Sequence, residues 1–338
     1  MRLLRYFPVL LLCIAACGVD PRPPCKSDGG DCVAVTIPRG ATLKHAVESL
    51  VAGGIVRHRR TFTLYARLRG LGGSLKSGRY AFHRAAKWGD VVDALKLGRG
   101  TLVRFTVREG LMLFEIADVA ARELGVSRDS FHAAAQDPLL LRDLGVYAMA
   151  TTAEGYLYPT TYTVRPGPTA RELVRLMTDQ FAAHWPHAWQ VRAETLRMSR
   201  HQIVTLASII EAEVRYAPDR DFVSAVYHNR LRRGMLLQAD PTVVYALGRR
   251  PRRVYEKTLR VPSPYNTYIH PGLPPGPISQ PDSASLAAAL YPAAAPFLFF
   301  VAQPDGKHIF SVSYAEHLVA IRRVQELRAA ARAPRRGR

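Results

Sequence analysis

Two carboxylates follow a long aliphatic run near the middle of the chain. Residues 203–213 are almost all aliphatic or small, and the run ends with Glu211 and Glu213. A carboxyl held partly out of water has a raised pKa, which is the property that a general acid needs. Glu211 is therefore the first candidate for chemistry. The simpler alternative is a solvated residue at the edge of a helix.

The spacing of the run predicts a helix that begins after Ser199, which can cap it. Its apolar stripe would contain Ile203, Leu206, Ala207, Ile210 and Val214. At about 100° per residue, Glu211 and Glu213 lie about 200° apart, on opposite borders of this stripe. A site shared by the two carboxyls is therefore disfavoured, and Asp240 is the better candidate for a group that supports Glu211.

Three polar segments follow this helix in otherwise apolar or turn-forming sequence. Amides, hydroxyls and aromatic faces bind sugars through directional hydrogen bonds and stacking. Each has a simpler explanation: Asp240 caps a helix, Asn229 holds a loop, or the tyrosines belong to the core. The candidate binding residues are Glu213, Asn229, Gln238, Asp240, Tyr265, Asn266 and Tyr268.

The elements around these residues predict an α+β fold. A strand, a turn and a helix occur twice, starting at 33 and at 105, with a strand at 78–82 and a helix at 90–97 between them. From about 127 the pattern is mostly helical. Helices are predicted at 127–136, 169–184, 199–213, 218–233, 240–248 and 314–330, a long proline-rich loop at 262–281, and a β-hairpin from 297–302 and 308–312.

Composition limits the partners. The net charge of +20 favours anionic partners, although a bias towards Arg in the coding sequence explains the excess equally well. No nucleic-acid motif stands out, so nucleic-acid binding is disfavoured. The scattered histidines and the cysteine spacing give no metal site, and no cofactor is predicted.

The N-terminus resembles an export signal. Arg2 and Arg5 precede the apolar run 7–16, which is too short for a comfortable membrane span. The run ends in a lipobox-like sequence in which Cys17 would be lipidated, and the alternative is a marginal signal anchor. Either form places the protein in the cell envelope, tethered to the cytoplasmic membrane and facing the periplasm or exterior. Cys25 and Cys32 form either a disulfide or two free thiols.

Several segments together resemble the MltG (YceG-like) endolytic murein transglycosylase family. They are EGYLYP at 154–159, ASIIEAE at 207–213, NRL at 229–231, MLLQADPTVVY at 235–245, YNTY at 265–268, GLPPGPI at 272–278 and the hairpin at 299–310. The resemblance implies an anchor at 1–19, a linker at 20–32, a LysM-like region at 33–104, a YceG-like catalytic domain at 105–330 and a basic tail at 331–338.

The resemblance also implies a reaction. The family cleaves the MurNAc–GlcNAc β-1,4 bond inside nascent glycan strands and leaves a 1,6-anhydroMurNAc end. By match of position, Glu211 would be the acid and base. Peptidoglycan strands, the membrane and peptidoglycan synthases are the implied partners. The rival functions are a hydrolytic muramidase and a non-catalytic wall-binding scaffold.

The chain departs from the family pattern in three places. Val214 and Thr160 stand where the family commonly has Thr and Asp, and the N-terminal apolar segment is shorter than a full transmembrane helix. The first two differences affect local hydrogen bonding, and the third affects the mode of anchoring.

Overall fold

The chain divides into two units. The computed structural model describes residues 32–98, 100, 103–146, 148, 150–164, 167–251 and 256–332, and the division falls between Thr101 and Leu102. The signal segment, Cys17, the linker up to residue 31 and the end of the basic tail lie outside the described residues. Among the residues described, no helix is both long enough and apolar enough to cross a membrane.

The smaller unit is built on one antiparallel strand pair. Strand β1 (Cys32–Ile37) pairs with β2 (Gly78–His83) in a register that sets Val35 opposite Tyr80. The helices are α1 (Leu43–Ala52), α2 (Arg59–Leu68) and α3 (Trp88–Leu97). Apolar side chains such as Leu50 and Phe62 fill the core completely. Helix α2 was not predicted, and the likeness of this unit to LysM stays a prediction.

The larger unit is mostly helical, with two separate strand pairs. Strand β3 (Val103–Thr106) pairs with β4 (Thr161–Val164), and β5 (Phe299–Ala302) pairs with β6 (His308–Ser311), both antiparallel. The predicted mixed fold and its hairpin are therefore present. The helices are α4 (Leu113–Leu124), α5 (Arg128–Ala135), α6 (Pro138–Asp143), α7 (Ala170–Ala183), α8 (His187–Thr195), α9 (Arg200–Glu213), α10 (Arg220–Arg232), α11 (Asp240–Ala246), α12 (Ser283–Leu290) and α13 (Tyr314–Arg332).

Helix α9 is the central element of this unit. Ser199 caps it by accepting from Gln202 N, as the sequence predicts. Every residue from 201 to 210 except Gln202 is buried, because α8, α10, α11 and α12 all pack around the helix. The predicted one-sided apolar stripe was therefore too narrow. Beyond residue 210, the last turn carries the two carboxylates and is partly open to solvent.

Two predicted helix starts differ in the structure. A 3-10 turn at Ala217–Asp219 precedes α10, so the α-helix begins two residues after Pro218. Helix α11 begins at Asp240, but its cap residue is Ala239 and the Asp240 side chain caps nothing. The Asp240 carboxylate instead accepts a hydrogen bond from the Tyr268 hydroxyl.

Candidate active site

A cleft of about 500 Å³ opens in the larger unit. It lies between the C-terminal end of α9, the start of α11 and the turn of the β5–β6 hairpin. Its polar lining brings together residues far apart in sequence. The lining includes Gly110, Met112, Ala212, Glu213, Arg215, Asp240, Pro241, Val244, Arg250, Ile278, Ser279, Gln303, Gly306, His308 and Arg328.

Glu213 is the carboxyl of α9 that lines the cleft. Its Oε1 accepts a hydrogen bond from the Tyr227 hydroxyl at 3.2 Å. Burial and the nearby charge of Asp240 raise the pKa of Glu213 to about 7, although the Tyr227 hydrogen bond opposes this. The carboxyl can therefore be protonated near neutral pH, as a general acid must be.

Asp240 lines the same cleft at the start of α11. Its Oδ1 accepts from the Tyr268 hydroxyl at 2.5 Å. Because this carboxylate raises the pKa of Glu213, it supports Glu213 rather than Glu211. The sequence had paired Asp240 with the other carboxyl, and the spatial neighbourhood differs from that expectation.

Glu211 is not one of the residues that line the cleft, although its side chain lies beside Gly110, which does line it. Its Oε2 accepts from the Ser285 hydroxyl at 2.7 Å and from the Asp282 amide at 3.3 Å, at the start of α12. Burial raises the pKa of Glu211 to about 7, the Ser285 hydrogen bond opposes this, and the charge of Asp282 adds to it. Both carboxyls can hold a proton near neutral pH. The hydrogen bonds of Glu211, however, are made with the start of α12.

Asn229 and Gln238 form hydrogen bonds with segments that surround the cleft. Asn229 is buried, and its amide donates to Ala295 O at 2.8 Å and Phe297 O at 2.7 Å, so it holds the approach to β5. Gln238 is exposed and has a left-handed backbone, with φ +51°. Its Oε1 accepts from Arg230 at 3.2 Å. A non-glycine residue in this conformation is strained, and the Arg230 contact helps to hold it.

Arg230 connects the hairpin with the segment before α11. It is buried in α10, and its guanidinium donates to the carbonyls of Leu298, Leu236 and Leu237 at 2.7, 3.2 and 2.9 Å. These bonds satisfy a buried charge and fix two walls of the cleft relative to each other.

The residues of the YNTY segment have different positions: one contacts a residue of the cleft, and others belong to the structure around it. Tyr268 reaches Asp240, whereas Asn266 is fully buried and donates to Leu259 O and Val261 O at 3.0 and 2.9 Å. Tyr265 packs its ring against Tyr245, with centroids 4.7 Å apart. Neither Asn266 nor Tyr265 lines the cleft. Only Tyr268 of the three therefore approaches the acidic pair.

Glu154 is a buried carboxyl that the sequence reasoning did not assign. It accepts from Leu113 N at 3.1 and 3.0 Å and from the Gln280 amide at 2.5 Å. Burial raises its pKa to about 8, against the hydrogen bond from Leu113. Gln280 also exchanges backbone hydrogen bonds with Gly110 and Leu111, at 2.8 and 2.9 Å. Glu154 thereby secures the rim of the cleft at the entry to α4.

Three arginines give the cleft a positive side. Arg250 is held by Glu115, at 2.7 and 3.0 Å, and donates to Gly110 O at 2.6 Å. Arg328 donates to Ala302 O at 3.0 Å, and Arg215 faces the hairpin turn. Sequence patterns gave no sign of this arrangement, because the three residues come from separate elements. In the part of the chain described, no group of three His, Cys, Asp or Glu side chains is placed so that it could hold a metal ion.

Comparison with known proteins identifies the family. Residues 35–323 match the YceG-like family, and the chain belongs to it. An endolytic murein transglycosylase of Bacillus subtilis is 30% identical in an alignment of 308 positions that covers 87% of this chain and 85% of that protein. The resemblance seen in the sequence is therefore confirmed.

Two further comparisons agree. An endolytic murein transglycosylase of Streptococcus pneumoniae is 27% identical over 88% of this chain, which spans 59% of the pneumococcal protein. The crystal structure of a YceG-like protein from Listeria monocytogenes superposes with a TM-score of 0.59 at 30% identity, covering 85% of this chain and 98% of that one. The mixed fold of short antiparallel sheets and many helices is thus the fold of the family.

Proposed function

We propose that this protein is an endolytic murein transglycosylase in which Glu213 is the general acid. The observation that carries the proposal is a protonatable carboxyl on the wall of an open cleft: Glu213 lines it and has a pKa of about 7. The relatives from Bacillus and Streptococcus, which bear that enzyme name, supply the substrate class.

The reaction is cleavage of the MurNAc–GlcNAc β-1,4 bond with formation of a 1,6-anhydroMurNAc end. Glu213 donates its proton to the leaving glycosidic oxygen. The C6 hydroxyl of the muramyl residue then closes on C1, so no water has to be activated by a second carboxylate, as ordinary glycosidases require. The proton of that hydroxyl needs an acceptor in the cleft.

Glu211 stays the alternative acid, since it also has a raised pKa. The cleft favours Glu213, because an acid must reach the leaving oxygen within hydrogen-bond distance. Burial and, to a lesser extent, the charge of Asp240 raise the pKa of Glu213, and Tyr268 holds Asp240.

We further propose the setting that the sequence predicts. The protein would be tethered to the cytoplasmic membrane through Cys17 or a short anchor and would face the periplasm or exterior. The smaller unit would be LysM-like, and peptidoglycan synthases would be partners that supply nascent strands. Uptake of labelled palmitate by wild type and not by Cys17→Ala tests the lipid anchor.

Glu213→Gln and Glu211→Gln form a matched pair for testing the acid. Both changes keep the size of the side chain and remove its acidic proton. We expect Glu213→Gln to lower turnover of purified murein by about 10²–10⁴-fold, the usual contribution of a general acid. Mass spectrometry of the wild-type digest should find anhydro ends.

The opposite outcomes are equally informative. Loss of turnover in Glu211→Gln with full activity in Glu213→Gln would reverse the assignment. Reducing ends in place of anhydro ends would make the protein a hydrolytic muramidase, and full activity in both variants would favour the wall-binding scaffold.

A further inference from the structure

His308 and Asp219 form an imidazole–carboxylate pair at the cleft. His308 is the first residue of β6, and Asp219 lies in the 3-10 turn before α10. Asp219 Oδ2 accepts from His308 Nδ1 at 3.0 Å and from the His308 amide at 2.6 Å. A carboxylate only accepts, so Nδ1 carries the hydrogen and Nε2 presents a lone pair whenever the ring is neutral.

The free nitrogen of this pair belongs to a residue that lines the cleft. The His308 side chain is only 2% exposed, yet the residue lines the cleft. Within the described residues, the side-chain nitrogen and oxygen atoms that are buried from solvent and lack a hydrogen-bond partner are Trp185 Nε1, Arg220 Nε and His317 Nδ1. His308 Nε2 is not one of them and has no hydrogen bond, so its lone pair is reached from solvent.

One aromatic ring separates this nitrogen from the acid. Phe300 packs edge-on against His308, with centroids 5.2 Å apart, and edge-on against Tyr227, with centroids 5.8 Å apart. The Tyr227 hydroxyl in turn donates to Glu213. The imidazole and the acid thus share one packed wall, which fixes the separation between the two groups.

We propose that His308, oriented by Asp219, accepts the proton of the attacking hydroxyl. This step rests on the proposed lytic function. As the C1–O bond to the leaving sugar breaks, its electron pair goes to the leaving oxygen, which takes the proton of Glu213. The C6 oxygen bonds to C1 and its proton passes to His308 Nε2. After product release, solvent water returns that proton from the imidazolium to the Glu213 carboxylate, and no other reactant is needed.

The pair divides the two proton transfers between two groups. Glu213 must be protonated and His308 neutral in the same cycle. The charged groups around His308 are Asp219 on its ring, and Glu213, Asp240, Arg215, Arg250 and Arg328 in the cleft. The low-pH limb of the rate profile therefore belongs to His308, and the high-pH limb belongs to Glu213.

The test uses the full chain acting on purified murein. His308→Gln should lower kcat by about 10²-fold or more and remove the low-pH limb. Added imidazole should restore part of the turnover to His308→Ala. His228→Gln is the matched control: His228 is also buried and bound to a backbone oxygen, Ala289 O at 2.8 Å, but it lies outside the cleft, so its kcat and pH profile should stay those of wild type.

Asp219→Asn tests the pair without removing the ring. Without the carboxylate the imidazolium of His308 is no longer stabilised, so the low-pH limb of the rate profile should move to lower pH. This variant keeps the proposal testable if His308→Gln does not fold.

Each result separates the inference from the proposed function. Anhydro ends from wild type, together with an unaltered profile in His308→Gln, would overturn the role of His308 alone. A lower rate with an unchanged low-pH limb and no imidazole rescue would reduce His308 to a structural residue. Reducing ends from wild type would overturn the lytic reaction itself, and with it the C6 hydroxyl as the source of the proton.

Discussion

The cores of the two units differ in the polarity of their buried side chains. In the smaller unit the buried side chains are apolar, except that the Tyr80 hydroxyl donates to Lys76 O at 2.7 Å. In the larger unit charged groups such as Glu154 and Arg230 are buried as well. Burying such groups costs free energy unless they are hydrogen-bonded. In the larger unit, hydrogen bonds beside the cleft offset this cost, and the same hydrogen bonds hold the walls of the cleft in position.

Buried side chains have different roles in the two units. Apolar packing alone stabilises a fold but leaves no charged group in a fixed position. The buried polar contacts of the larger unit connect segments that carry cleft residues: Arg230 to the hairpin and Glu154 to the entry of α4. If the comparison is right, polar substitutions should affect the cleft and apolar substitutions in the smaller unit should not.

Arg230→Met should have the largest effect on stability. It leaves the carbonyls of Leu298, Leu236 and Leu237 without their donor, and we expect a loss of about 4 kcal/mol in the free energy of unfolding. Chemical denaturation measures this. Arg323→Met, at an exposed position of α13, should change stability by less than about 0.5 kcal/mol. A similar small change in both variants would mean that the polar contacts are dispensable.

Leu50→Ala should have the next largest effect, confined to the smaller unit. Leu50 is fully buried in α1, and its truncation leaves a cavity that costs about 3 kcal/mol. Hydrogen exchange should quicken across 32–98 and stay unchanged across the larger unit. Leu68→Ala, at a side chain that is 80% exposed, is the control and should leave exchange unaltered. Faster exchange in both units would contradict separate cores.

Glu154→Gln should have the smallest effect and should depend on pH. The pKa of Glu154 is about 8 in the folded protein against 4.5 for an ordinary glutamate, so its contribution to stability is fully present below about pH 4.5 and is lost as pH rises from there through 8. Glutamine does not ionise, so the free energy of unfolding of the variant should decline less steeply over that window than that of wild type. Denaturation at several pH values measures the slope.

Glu326→Gln provides the reference for that slope, because Glu326 is exposed on α13. It should keep the pH dependence of wild type. An identical slope in Glu154→Gln would show that Glu154 holds its proton equally well in the unfolded chain, and would remove it from the comparison.

Local signals in the sequence identified most helices of the larger unit correctly. Ser199, Ser127 and Thr169 each cap the helix that follows, because a capping side chain acts within three residues. The hairpin turn is equally local. Helices α6, α8 and α12 are short and lack a strong apolar period, so their formation depends on packing that the sequence does not express.

The site was harder to predict than the fold. Helical periodicity separated Glu211 from Glu213 correctly in angle, but it could not say which side faces solvent. Which carboxyl lines the cleft depends on α12, whose Ser285 binds Glu211, and on the segments that place the cleft beside Glu213. His308 and Asp219 are 89 residues apart, and the hairpin pattern at 299–310 does not single out His308 or connect it with Asp219. Only the tertiary structure brings them together.

The contact between Glu154 and Gln280 has a consequence for how the chain is made. The two residues are 126 positions apart, and Gln280 also forms the backbone bridge to Gly110. A growing polypeptide that has emerged only as far as α11 therefore lacks the partner that makes burial of Glu154 acceptable. The rim of the cleft at Gly110 can therefore take its final form only when the chain through residue 280 is present.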